Sequence, residues 1–142
     1  MMMTLLNIVF LLLFTASEPA HAQVAIIVHP SVQVQGLDRS DVLGIYSLKT
    51  REWTDDGRVV PITMKGNGPV VTRFHEYLGR SALKMTSDWM RIQLLGEGRA
   101  PLALSSEEEV IAKVQATPGA IGYVSMEKAK AASGIRIVAI IG

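Results

Sequence analysis

Val59-Val60-Pro61-Ile62-Thr63-Met64, then Lys65-Gly66-Asn67-Gly68-Pro69, then Val70-Val71-Thr72-Arg73-Phe74-His75-Glu76-Tyr77-Leu78-Gly79, is the stretch on which the fold turns. Its first six residues are β-branched or apolar and predict a strand, with Pro61 at its start or at an edge because proline donates no ladder hydrogen bond. The glycine-rich segment 65–69 is a loop. Proline is favoured in a first helical turn and glycine just past a last one, so a helix is expected from Pro69 to about Leu78, stopped at Gly79. Phe74, Tyr77 and Leu78 give its apolar stripe. A strand that passes through a short loop straight into a helix is the unit of an α/β fold.

The same alternation continues on either side. Upstream, Val24 to Val28 is a continuous β-branched run that reads as a strand buried on both faces, ending at His29-Pro30. Gly36 opens a helical stretch with Leu37, Val42, Ile45 and Tyr46 on one side and Asp38 and Asp41 in the first turn. Asp55-Asp56-Gly57 marks a turn. Downstream, Ser81 to Leu95 is helical, with Leu83, Trp89, Ile92 and Leu95 as inward positions, and Gly96 to Pro101 is a loop. Ser105 and Glu108 form a capping box for a helix whose apolar side is Val110, Ile111 and Val114. Ala120 to Val124 is a third strand, Met126 to Ala132 a short helix closed by Gly134, and Ile135 to Ile141 a last strand. Three or four strands with four or five helices predict a mainly parallel central sheet with helices on both faces.

Ahead of this domain, Leu5 to Phe14 is apolar apart from Asn7 and is followed by Pro19 and Ala20-His21-Ala22. That run suits the core of a signal peptide and is too short for a membrane span, which takes about 20 residues. The small-x-small pattern predicts cleavage after Ala22, leaving residues 23–142 as one domain, and the absence of cysteine suits the periplasm. Residues 1–22 hold one acid, Glu18, so the remainder carries 14 basic and 12 acidic residues, 14 − 12 = +2. A balance that small is too weak to imply nucleic acid or an anionic membrane, and no nucleic-acid partner is expected. Without cysteine there is no disulfide, thiolate metal site or cysteine nucleophile.

The loop from Lys65 to Pro69 is the best candidate site. Free backbone N–H groups and the positive end of a helix attract anions, the two glycines let a ligand approach the backbone, and Lys65 adds charge. The same residues also make an ordinary strand-to-helix turn, and the loop is neither a GxGxxG nor a P-loop motif. His21, His29 and His75 form no metal motif, and His75, next to Phe74, is expected to face solvent. Glu107-Glu108-Glu109 fits helix-dipole complementarity better than acid catalysis, and the serines lack a Gly-x-Ser-x-Gly context. Residue chemistry therefore points away from an enzyme and implies no cofactor.

Several segments together resemble a known family. Val24-Ala25-Ile26-Ile27-Val28-His29-Pro30-Ser31, Leu37 to Tyr46, Trp53 with Gly57 and Val60-Pro61-Ile62, Phe74, Trp89 with Leu95 to Pro101, and Thr117-Pro118-Gly119-Ala120-Ile121-Gly122-Tyr123-Val124 follow in order the pattern of the periplasmic phosphate-binding (PstS-like) proteins of ABC transporters. The resemblance spans about residues 24–140 and implies a single periplasmic-binding-protein-like (type 2) lobe, where full receptors close two lobes over phosphate. It implies a role as a solute-binding-like protein for inorganic phosphate or a similar oxyanion, partnered by a transporter permease, a membrane sensor or a second copy. The alternative is an interaction module that kept the fold without the ligand. Aligned on Gly66 and Gly68, the family's ligand segment places its Arg at Thr63, its Asp at Lys65, its Ser at Asn67 and its Thr at Pro69. The bidentate Arg and a hydroxyl are thus replaced here, and the carried-over site is Thr63, Lys65, Gly66, Asn67 and Gly68.

Overall fold

The computed structural model describes residues 23–55 and 57–142; the segment read as a signal peptide and Asp56 of the predicted turn lie outside it. In chain order the elements are β1 (Val24–Val28), α1 (Arg39–Tyr46), β2 (Val60–Met64), α2 (Pro69–Leu78), α3 (Ala82–Leu94), β3 (Leu102–Leu104), α4 (Glu107–Ala116), β4 (Ala120–Ser125), α5 (Met126–Ala131) and β5 (Arg136–Ile141). The expected α/β alternation holds. The short strand β3 was not foreseen, because three residues after a proline carry no period.

The sheet order is β3-β2-β4-β1-β5. β2 pairs parallel with β3 and with β4, whereas β1 pairs antiparallel with β4 and with β5. Four strands therefore point one way and β1 alone runs against them. β1 is fully buried along its length, as its unbroken apolar run requires. Its alternate residues feed two cores. Val24, Ile26 and Val28 pack with Tyr46, Phe74, Trp89 and Tyr123 under α1, α2 and α3, while Ala25 and Ile27 pack with Val110, Val114 and Ala129 under α4 and α5.

Close packing explains two glycines. A Cβ on Gly122 would come within 2.9 Å of Val110 Cγ1, so α4 lies directly on β4. Gly119 has φ +79°, and a Cβ there would meet the Arg58 carbonyl at 2.1 Å, so only glycine fits. Tyr123, four residues on, lies at the centre of the sheet rather than at an edge, and is fully buried.

Some expectations shift in register. α1 begins after Asp38, which forms a reciprocal capping box with Asp41, rather than at Gly36. On α3 the buried residues are Met85 and Trp89, while Leu83 and Leu95 are exposed. Residue 83 lies about 200° round the helix from 85, so a face centred on 85 and 89 turns it outward. The cap of α4 is Ser106, whose Oγ accepts from the Glu109 amide at 3.2 Å, one residue later than expected; Glu109 in turn accepts from the Ser105 amide at 2.8 Å. Among the described residues no helix is long and apolar enough to cross a membrane.

Candidate functional site

Because β2, β3 and β4 run parallel, their last residues Met64, Leu104 and Ser125 lie along one edge of the sheet, and each leads into a helix there: α2, α4 and α5. Two of these turns are closed by their own side chains. Ser106 caps α4, whose first turn holds Glu107, Glu108 and Glu109. Ser125 caps α5, the Glu107 carboxylate accepts from the Ser125 amide, and Glu108 pairs with Lys128.

The β2–α2 turn differs. The N-cap of α2 is Gly68, with no side-chain cap; Pro69 follows, and the first turn holds no acid. Proline has no amide hydrogen, so the donors left at this end are the N–H groups of Val70 and Val71, the Thr72 amide being taken by the Gly68 carbonyl at 3.0 Å. Gly66 has φ +92°, and a Cβ built on Gly66 or on Gly68 meets nothing within 4 Å, so space above both is open. Lys65, Gly66, Asn67 and Gly68 are all exposed. The turn is anchored from below by the Lys65 amide, which donates to the Leu104 carbonyl at 2.8 Å.

Thr63 is placed otherwise. It is 5% exposed, and its hydroxyl lies 2.8 Å from that of Tyr123, which also accepts from the Met64 amide at 3.1 Å. Burial raises the Tyr123 pKa, so its hydroxyl stays protonated and fixes the end of β2. Thr63 thus holds the turn from beneath while Lys65, Gly66, Asn67 and Gly68 line it.

Beside the turn is a cavity of about 410 Å³ between β2, β3, α2 and α3. Thr63, Lys65 and Gly66 line it, as does Trp89, which donates its indole N–H to the Tyr46 carbonyl at 2.7 Å. His75, expected in solvent, lines it too and is 8% exposed. It belongs to the buried face Val71, Phe74, His75 and Leu78, the i, i+3, i+4, i+7 set of an amphipathic helix. That spacing from Val71 was the signal that could have placed it. Burial pushes its pKa down, and its Nδ1 lies 3.2 Å from the Arg80 carbonyl, which makes Nδ1 the protonated nitrogen. Among the described residues no cluster of three or more metal-ligating side chains occurs.

A family model described as a PBP superfamily domain matches residues 14–142. No curated protein matches the sequence. The fold is similar to that of an ABC-type phosphate transport receptor from Vibrio cholerae, with a TM-score of 0.63 and 17% identity over 82% of this chain and 46% of that one. It is equally similar to PstS from Borrelia burgdorferi, with a TM-score of 0.63 and 16% identity over 83% of this chain and 47% of the other. A protein from Clostridium perfringens crystallised with bound phosphate gives a TM-score of 0.65 and 20% identity over 82% and 45%. The chain spans about half the length of these structures.

Proposed function

Since the chain belongs to the PBP superfamily domain family, we propose that it is a periplasmic solute-binding-like protein that holds phosphate or a similar oxyanion at the β2–α2 turn. The observation that carries this reading is the contrast between neighbouring turns: those into α4 and α5 are capped by serine and furnished with acids, while the turn into α2 presents open glycines, Lys65 and uncapped amides. Bound phosphate in the Clostridium perfringens relative supports the choice of ligand. Binding rather than catalysis fits the similarity to a phosphate transport receptor and a transporter substrate-binding protein.

The expected strength follows from the donors. A helix N-terminus contributes about 0.3–1 kcal/mol towards an exposed anion. Two hydrogen bonds to a charged group add about 1.5–3 kcal/mol each, for roughly 3–7 kcal/mol in all. A dissociation constant of 1 mM needs about 4.1 kcal/mol, so this turn alone gives binding around millimolar. Tighter binding calls for a second lobe, from another copy or a partner such as a transporter permease or a membrane sensor. Calorimetric titration with phosphate tests this: Lys65→Glu should abolish the heat of binding and leave the fold intact, whereas unchanged affinity would remove the turn from consideration. Export, with cleavage after Ala22, is tested by the intact mass of the protein recovered from the periplasm.

A second reading, a partner-binding module without ligand, draws on α3. Leu83, Met90 and Leu94 are exposed on it at spacings of seven and four residues, an apolar stripe along one face. Crosslinking in cells followed by recovery of a membrane protein, with no phosphate heat, would favour it.

A further inference from the structure

On the other side of α3, away from the β2–α2 turn, a second cavity of about 290 Å³ lies between the segment after α1, the start of α3 and its C-terminal end. Its lining is unlike that of the first. Lys49, Arg51, Arg80 and Arg91 face Asp88 and Glu97, four cations against two carboxylates. Among the described residues none of the four cations is in an ion pair. Asp88 is already engaged by Lys84 at 3.0 Å, and that ammonium, with Arg91 and Arg80 behind it, holds the Asp88 carboxyl below its ordinary value.

Two of the guanidinium groups are held in place by the fold. Arg51 Nε donates to the Leu48 carbonyl at 2.9 Å, and a Cβ on Gly98 would come 3.2 Å from Arg51 Nη2, so the group is packed between the two. Arg80 Nη1 donates to Ser47 Oγ at 3.3 Å. Leu48 itself has φ +62°, the one non-glycine residue with positive φ among the described residues. The acceptor of the Arg51 bond thus sits in a backbone conformation that persists where the surroundings enforce it. A guanidinium whose orientation is already fixed loses little freedom when an oxyanion accepts its remaining N–H groups, and its fork matches a phosphate edge.

We propose that this cavity is a second site, for the phosphate monoester of a small polyol. The arginines and Lys49 take the phosphate oxygens, and Asp88 and Glu97 accept from hydroxyls of the body. Volume favours the ester over the free ion: with about 30 Å³ per water, the space corresponds to about ten waters, more than a bare tetrahedral oxyanion fills. The site does not use the β2–α2 turn and stands or falls without it.

The test is a ¹H–¹⁵N NMR titration of the purified chain with glucose 6-phosphate, inorganic phosphate and glucose, on the wild type and on Arg91→Gln, Lys49→Gln and Lys65→Glu. Lys49 and Arg91 are exposed, so their replacement leaves the core untouched. Glucose 6-phosphate should shift the amides of Ser47 to Arg51 and bind more tightly than inorganic phosphate at these amides. Arg91→Gln or Lys49→Gln should weaken it about tenfold, a loss of ~1.4 kcal/mol, while Lys65→Glu leaves it unchanged. Unmoved Ser47–Arg51 amides, or affinity indifferent to both cavity substitutions, would overturn the site. Inorganic phosphate or glucose matching the ester at these amides would overturn the assignment of the ligand.

Discussion

The turns into α2 and α4 stand side by side on the same sheet edge, joined by the hydrogen bond from the Lys65 amide to the Leu104 carbonyl, yet they are finished in opposite ways. Ser106 accepts from the Glu109 amide and three glutamates complement the dipole in the first turn of α4, all from within. Gly68 and Pro69 leave the corresponding end of α2 to whatever approaches from outside. Local stability and ligand affinity draw on the same few N–H groups, so a turn can be optimised for one or left available for the other. Lysine at 65, where glutamates hold the neighbouring turn, gives the two opposite electrostatic character.

The largest effect lies under the open side. Trp89 is 7% exposed, walls the cavity beside the β2–α2 turn and donates to Tyr46. Trp89→Ala should cost about 3–5 kcal/mol in urea melts. An unchanged midpoint would show that α3 does not support that side at all. Next comes the hydroxyl that fixes the end of β2. Tyr123→Phe strips the Met64 amide and the Thr63 hydroxyl of their partner and should cost about 1–3 kcal/mol. Hydrogen exchange should then rise at Met64 and Lys65 while the amides of Ser106 to Glu109 stay protected; loosening of both turns together would erase the distinction between them.

At the closed turn, Ser106→Ala should cost about 0.5–2 kcal/mol, the ordinary loss for a capped helix, and should leave phosphate binding untouched. The smallest effect is a pH dependence on the open side. His75 is neutral in the fold, its pKa pushed below 6.5 by burial, so the unfolded chain binds the proton more readily. The stability it contributes is full above about pH 6.5 and falls as pH drops through the folded pKa. A ring titration by NMR should show a midpoint below 6.5, and His75→Gln should flatten the stability profile in that window. A midpoint at about 6.5 would place the ring in solvent.

Much of this contrast is readable in the chain itself. Gly-Asn-Gly-Pro between a β-branched run and an amphipathic stretch specifies both the loop and the first residue of α2, since each rests on local backbone chemistry. The buried run at residues 24–28 is local in the same sense. Where the outcome depends on distant partners, the residues are silent. Leu83 and Leu95 look as apolar as Trp89, and only the docking of α3 on Tyr46 decides which face turns in. The reversed direction of β1 comes from sheet order, which no five-residue run encodes. The family pattern places Thr63 among the ligand residues, but its hydroxyl is claimed by Tyr123, sixty residues away. The basic cavity brings together Lys49, Arg51, Arg80 and Arg91 from separated segments and has no motif to announce it.

The most direct test closes the open turn. Gly68 has φ −65° and ψ 172°, a conformation any residue adopts, and a side chain there meets nothing within 4 Å. Gly68→Asp should therefore cap α2 as Ser106 caps α4, raising stability by a few tenths of a kcal/mol. Its carboxylate would occupy the amides and repel an anion. Calorimetric titration of wild type and Gly68→Asp with phosphate should give millimolar binding for the first and no heat for the second, with the variant melting at least as high as the parent. Equal phosphate affinity in a folded Gly68→Asp protein would contradict the account, because the anion would then be held somewhere other than the uncapped end of α2.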